Sequence, residues 1–354
     1  MTTLFGRPLF SVGDRPYFWE DVVLAAMLGD AWTSLEQQLR QGLACVKRAH
    51  DRGEQVSAAE STAAAHDFRF RRNLISGDDT SAWLERSDLT TERWTRYLER
   101  AVLRQRWSAE LDDIVLRYPV PSGEIQDDML AEAVCSGVLA DSARQLSGRA
   151  AIDDRVRTSS SAPAVSGASA PPDSPRRVPA IADAGLPGLS IERVRDRIPI
   201  VTRVEATYQS FVSTMLTSAL VDRTIEHRQL DWMAIDCRHL IFANEDAARE
   251  AALAASADKR ALVDVASDAG IPLQTEHLYL GDLDAELKGR LLGAGPGDIV
   301  GPVRSKGAFH VLEVVGKVVP SADDPAIRAR AEEEALRFLV TEESTTRVRW
   351  HEQV

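Results

Sequence analysis

The sequence predicts an α+β protein in which an all-helical N-terminal domain is joined by a disordered linker to a smaller α/β domain with a C-terminal helix. Three observations lead there. Apolar residues recur at helical spacing through the first half, a Ser/Ala/Pro/Gly tract then interrupts the chain, and strand-like and helical runs alternate beyond it. The expected divisions are a helical domain over residues 1–155, a linker over 156–188 and connecting helices over 189–229. An α/β domain over 230–318 and a helix and tail over 319–354 follow. At 354 residues the chain is too long for one small core.

Residues from about Trp19 to Arg155 read as helices. Thr90 is a candidate N-cap, and Trp94, Tyr97, Leu98, Ala101, Val102 and Trp107 follow at helical spacing. Asp79–Glu85 presents Trp83 and Leu84, and a helix from about Asp127 to Leu146 follows the turn-forming YPVPSGE. The aromatic stripe reads first as core packing and second as a peptide-binding groove. Thr158–Pro187 has too few apolar side chains to offset the entropy of ordering it.

Beyond it, Ile191 to about His227 is helical, with Pro199 expected to kink or divide it. A strand follows over Trp232–Phe242, then helices over Glu245–Ala257 and Lys259–Ala269, the second stopped by Gly270 and Pro272. Leu278–Leu280 reads as a short strand, Asp282–Leu292 as a helix, and Ile299–Val303 and Phe309–Val315 as extended segments. A charged helix begins at Pro325, and Arg347, Arg349 and Trp350 are expected as an edge strand or cap on the second-half sheet.

Composition excludes several classes. With 42 Lys and Arg against 54 Asp and Glu, the formal charge is −12, which disfavours nucleic acid as a partner. Cys45, Cys135 and Cys237 form no CxxC pair, so neither a disulfide framework nor a zinc site is expected. No cofactor is implied. No segment approaches the ~20 apolar residues of a membrane span, and the first residues lack a signal-peptide pattern. No membrane role and a cytoplasmic location are the resulting expectations.

Three short segments carry chemistry. Cys237-Arg238-His239-Leu240-Ile241 places a His among apolar strand residues, Gly297-Asp298-Ile299-Val300-Gly301-Pro302-Val303 is a turn entering a strand, and Phe309-His310-Val311-Leu312 supplies a second strand His. In strands of period two, His239 shares a face with Ile235, Cys237 and Ile241, and His310 with Leu312 and Val314. An imidazole on an apolar face needs a hydrogen-bond partner. The two rings can serve each other with no chemistry at all, and no third ligand suggests a metal.

In order and spacing these segments resemble the parvulin-type, PpiC-related prolyl isomerases. The resemblance implies a small domain around a four-stranded sheet, with His239 and His310 adjacent and fixing one another's tautomers. It assigns His239, His310 and Asp268 to the catalytic positions. It puts Leu283 and Leu287 where the family has Met and Phe in its proline pocket, and Cys237 and Phe309 beside the bound peptide. The family's Gly-Gly-x-Leu-Gly loop is absent, replaced by Ala266–Pro272 and Gln274-Thr275-Glu276-His277.

The wider layout resembles SurA- and PrsA-like foldases, and more narrowly the cytoplasmic PpiC-related proteins of peptide-maturation systems. That resemblance implies a degenerate isomerase that binds a precursor or unfolded peptide and assists maturation of a ribosomally synthesised precursor. The alternatives are an active peptidyl-prolyl isomerase and an assembly scaffold for peptide-modifying partner enzymes.

Overall fold

The computed structural model describes residues 4–159, 186, 189, 191–305 and 307–352, so nearly all of the expected linker lies outside the described residues. Two compact units are present: Met1–Phe211 with Leu339–Val354, and Val212–Phe338.

In the first unit the helices are α1 (Trp19–Leu28), α2 (Ala31–Arg52), α3 (Ala58–Arg71), α4 (Gly77–Arg86), α5 (Thr91–Arg106), α6 (Leu111–Arg117), α7 (Ser122–Cys135) and α8 (Val138–Ser159). Thr90 caps α5 by accepting a hydrogen bond from the Arg93 N–H, which satisfies one of the orphan donors of a first helical turn. The aromatic stripe is core. Phe68 of α3 meets Trp83, Trp94 and Tyr97 edge-on, with ring centroids 5.4, 5.6 and 6.2 Å apart. Beside it, Arg100 of α5 is buried, bonded to Asp128 at 2.8 Å and Glu132 at 3.2 Å on α7. Gly42 of α2 admits the Arg100 stem, since a Cβ there would lie 3.0 Å from that of Arg100.

A hairpin of β1 (Pro8–Val12) and β2 (Arg15–Phe18) precedes these helices. Near the other terminus, β7 (Val348–Trp350) pairs with β1, completing a three-stranded sheet in the order β2-β1-β7. This corrects the expectation that Arg349 and Trp350 would edge the second-half sheet. Trp350 instead opposes Phe10, their rings 5.2 Å apart, because the buried hairpin offers an aromatic partner.

Helix α9 (Ile191–Met215) belongs to the first unit as far as Phe211 and runs through Pro199 without dividing. The second unit continues with α10 (Ser218–His227), α11 (Gln229–Trp232), β3 (Ala234–Phe242), α12 (Glu245–Ser256), α13 (Leu262–Ala269) and β4 (Gln274–Tyr279). Then come α14 (Ala285–Gly293), β5 (Ile299–Ser305), β6 (Ala308–Val318) and α15 (Pro325–Arg347). Gly270 ends α13 in the left-handed region at φ 64°, as its sequence position suggests.

The expected four-stranded sheet is present, antiparallel throughout in the order β4-β3-β6-β5. Its alternation sorts two apolar layers. Leu240, Phe242 and Val311 face α12 and α13, while Ile235, Cys237, Leu312 and Val314 face Leu287 and Leu291 of α14. Both histidines belong to the α14 face.

Candidate functional site

The β3–β6 register places Leu312 opposite His239 and His310 opposite Ile241, so the two rings meet diagonally on one face. Their centroids are 4.9 Å apart, and His239 Nε2 lies 2.7 Å from His310 Nδ1. The outer nitrogens are also engaged. His239 Nδ1 is 3.0 Å from a Glu276 carboxylate oxygen on β4, and His310 Nε2 is 3.0 Å from the Ser305 carbonyl on β5. His239 is only 4% exposed, so these partners are what make its burial tolerable. Burial pushes the His239 pKa below the ordinary imidazole value; Glu276 opposes that shift and His310 adds to it.

The polar chain continues past β5. The backbone N–H of Leu287 and the Ser305 hydroxyl hold the Asp284 carboxyl below the usual carboxylate range, with His310 contributing. Asp284 is the N-cap of α14, accepting the Leu287 N–H at 3.0 Å. One line of polar groups therefore runs Glu276, His239, His310, Ser305, Asp284, across the four strands in spatial order and into a helix N-terminus.

Gly301 makes the β5 end of this line possible. It sits in a register shift between Val300 and Val303, at φ +145°, where a Cβ would lie 2.6 Å from the His310 carbonyl oxygen. Only a residue without a side chain lets β5 approach β6 so closely at that point.

Of the residues that sequence reasoning singles out, the structure brings His239 and His310 together. It does not bring Asp268 to them. Asp268 is exposed on α13, paired with Arg260, and borders a hollow with Phe242 and Val265 on the opposite face of the sheet. Asp268 lies in the last turn of α13, on its exposed side.

Phe309 likewise packs with the α12–α13 layer, because it is one residue out of phase with His310. Cys237 and Leu287 lie on the histidine face but are core residues, 0% and 4% exposed, with no surface left for a ligand. Burial pushes the Cys237 thiol up to about 12, with Glu276 and Asp236 adding to the shift, so it is no nucleophile. Leu283 is half-buried beside that core, and Ile241 is 38% exposed on the same face.

Sequence reasoning missed Glu276, Ser305 and Asp284. Glu276 had a usable signal, since period-two alternation from Leu278 puts it on that residue's face, and antiparallel pairing sets it opposite Cys237. Asp284, two residues before a Glu and three before Leu287, has the form of an N-cap.

No family model and no curated protein matches the chain. Solved structures do. A peptidylprolyl isomerase, PrsA, from Bacillus anthracis matches at 15% identity over 58% of this chain and 94% of that one, with a TM-score of 0.26. The foldase protein PrsA from Lactococcus lactis matches at 12% identity over 95% and 86%, with a TM-score of 0.26. PrsA from Bacillus subtilis matches at 12% over 62% and 86%, with a TM-score of 0.22. Among the described residues, no helix is long and apolar enough to cross a membrane.

Proposed function

We propose that this chain is a parvulin-related, chaperone-like protein that binds extended, proline-containing stretches of a precursor or unfolded peptide. The observation that carries the reading is the His239–His310 hydrogen bond on an otherwise apolar sheet face, anchored at both ends by Glu276 and Ser305. Such a line gives the face fixed polar groups, while Ile241 and Leu283 offer apolar surface beside it. A proline ring next to an amide asks for that combination.

The finer proposal is that the peptide is a ribosomally made precursor, presented to modifying enzymes. It is supported by the resemblance of the sequence to PpiC-related proteins of peptide maturation. Titration calorimetry of the full chain against a proline-containing precursor peptide tests it. Saturable heat is expected, and no binding at high micromolar concentration would overturn the reading.

A second reading, prolyl isomerisation, is favoured by the same pair of rings. Rotation about an X–Pro amide takes tens of seconds or more unaided and requires no nucleophile or cofactor, only a site that holds the ring and desolvates the amide. Asp268 is not available to assist. Exchange spectroscopy on a short Xaa-Pro peptide decides it: faster cis–trans exchange that His310→Ala abolishes supports catalysis, and unchanged exchange leaves binding alone.

A further inference from the structure

The four ring nitrogens of the histidine pair cannot all be satisfied by two neutral imidazoles. Ser305 presents a backbone carbonyl, which only accepts, so His310 Nε2 must carry a proton. Glu276 presents a carboxylate, so His239 Nδ1 must donate to it. Two neutral rings have then spent their protons on the outside, and His239 Nε2 and His310 Nδ1 would face each other at 2.7 Å as bare lone pairs. A hydrogen bond of that length needs a proton between them. The same count follows if Glu276 carries a proton and donates it, because His239 Nε2 then donates inward.

We propose that Glu276, His239 and His310 together hold three protons, one more than a carboxylate and two neutral rings, and that Glu276 is the positioning residue that keeps the extra proton in the line. This deepens the peptide-binding reading and rests on it only for its relevance to that site. The balance of charge suits it. Glu276 lies at one end and Asp284, through the Ser305 hydroxyl, at the other, so a singly protonated pair sits between two carboxyl groups.

The side chains directly opposite the rings across the strands carry no charge, Gln274 on β4 among them. Leu312 opposes His239, Val303 opposes His310, and Cys237 is held as a thiol on the same side of β3. The nearby ion pair of Arg238 and Glu313 alternates onto the other face of the sheet. Burial disfavours charge on the His239 ring, which leaves the half-buried His310 ring to carry it. Both of its N–H groups then have acceptors, His239 Nε2 and the Ser305 carbonyl.

Long-range nitrogen–proton NMR of the seven histidine side chains in the full, peptide-free chain reads the ring protons, and the carboxyl carbon shift of Glu276 reads the third position. At pH 7 one ring of the pair is expected to show two protonated nitrogens and the other an Nδ1–H tautomer, assigned with His310→Gln. In Glu276→Gln the extra proton is expected to leave, its loss midpoint falling by about one pH unit or more. Glu276→Asp is expected to restore part of that shift. Two neutral rings together with an ionised Glu276 in the wild type at pH 7, or an unchanged midpoint in Glu276→Gln, would overturn the proposal. The spectrum of the free protein needs no peptide, so failure of the peptide-binding reading would appear in calorimetry and leave this result standing.

Discussion

Each unit carries a line of polar side chains at its core or along its sheet, and the two lines are built from different chemistry. In the first unit Arg100 joins Asp128 and Glu132 between α5 and α7, with Arg96 and Arg104 at the margins. A guanidinium does not lose its proton at any pH a folded protein meets, so that link is permanent. In the second unit the line is made of imidazoles, whose protons move near neutrality. The first therefore fixes a helical core, whereas the second places a titratable rail on a sheet face next to exposed Ile241.

The largest expected effect breaks the permanent side of that contrast. Arg100→Ala strands two buried carboxylates, and losing one partner of a buried pair costs about 3–5 kcal/mol. Arg96 and Arg104 still reach the outer oxygens at 3.2 and 3.4 Å, which sets the expectation at the low end of that range. Six of the seven tryptophans (19, 32, 83, 94, 107 and 350) lie in the first unit, so tryptophan fluorescence during urea unfolding reads this unit in the full chain. A midpoint equal to wild type would mean that the network contributes nothing to the helical core.

A middle effect addresses the titratable side. His239→Leu leaves Glu276 and His310 Nδ1 without their partner, a loss of about 1–3 kcal/mol for groups stranded in a buried line. The pH dependence has a definite sign. The folded state holds the His239 pKa below its unfolded value of about 6.5, so folding disfavours charge on that ring. Its stabilisation is complete above that pH and is lost as pH falls through the depressed folded value. Amide exchange of β3 and β6 should accelerate on acidification in the wild type, and His239→Leu should lack that component. An acid response identical in both would remove His239 as its source.

Local patterns were readable to the extent that their physics is local. The faces of His239 and His310 followed from period-two alternation, Gly270 from helix-stop chemistry and Thr90 from capping, each needing only a few neighbouring residues; that the two rings meet came from the family resemblance. The failures need partners far along the chain. The pairing of β7 with β1 joins residues more than 300 positions apart, and nothing near Trp350 announces Phe10. The resemblance assigned Asp268 a catalytic position, yet its helix places it across the sheet from the histidines. Glu276 was visible only as the remnant of a loop, because its role depends on the β3–β4 register. The β1–β2 hairpin, by contrast, turns on the local signal Val12-Gly13-Asp14-Arg15, with Gly13 at φ 56°.

The smallest effect sets the scale against which both polar lines are judged. Thr90→Ala removes the side-chain oxygen that accepts the Arg93 N–H at 3.2 Å, on the exposed start of α5. Water can take over that donor, so the cost is about 1 kcal/mol, the usual loss for an N-cap. The same helix carries Arg100 three turns further on, which makes the pair of variants a comparison within one element. If Thr90→Ala costs as much as Arg100→Ala in the fluorescence-monitored transition, the buried network adds no more than a surface cap. The expected ordering is instead a small loss at the cap and a severalfold larger one at the guanidinium, because only the second strands charge where water cannot reach it.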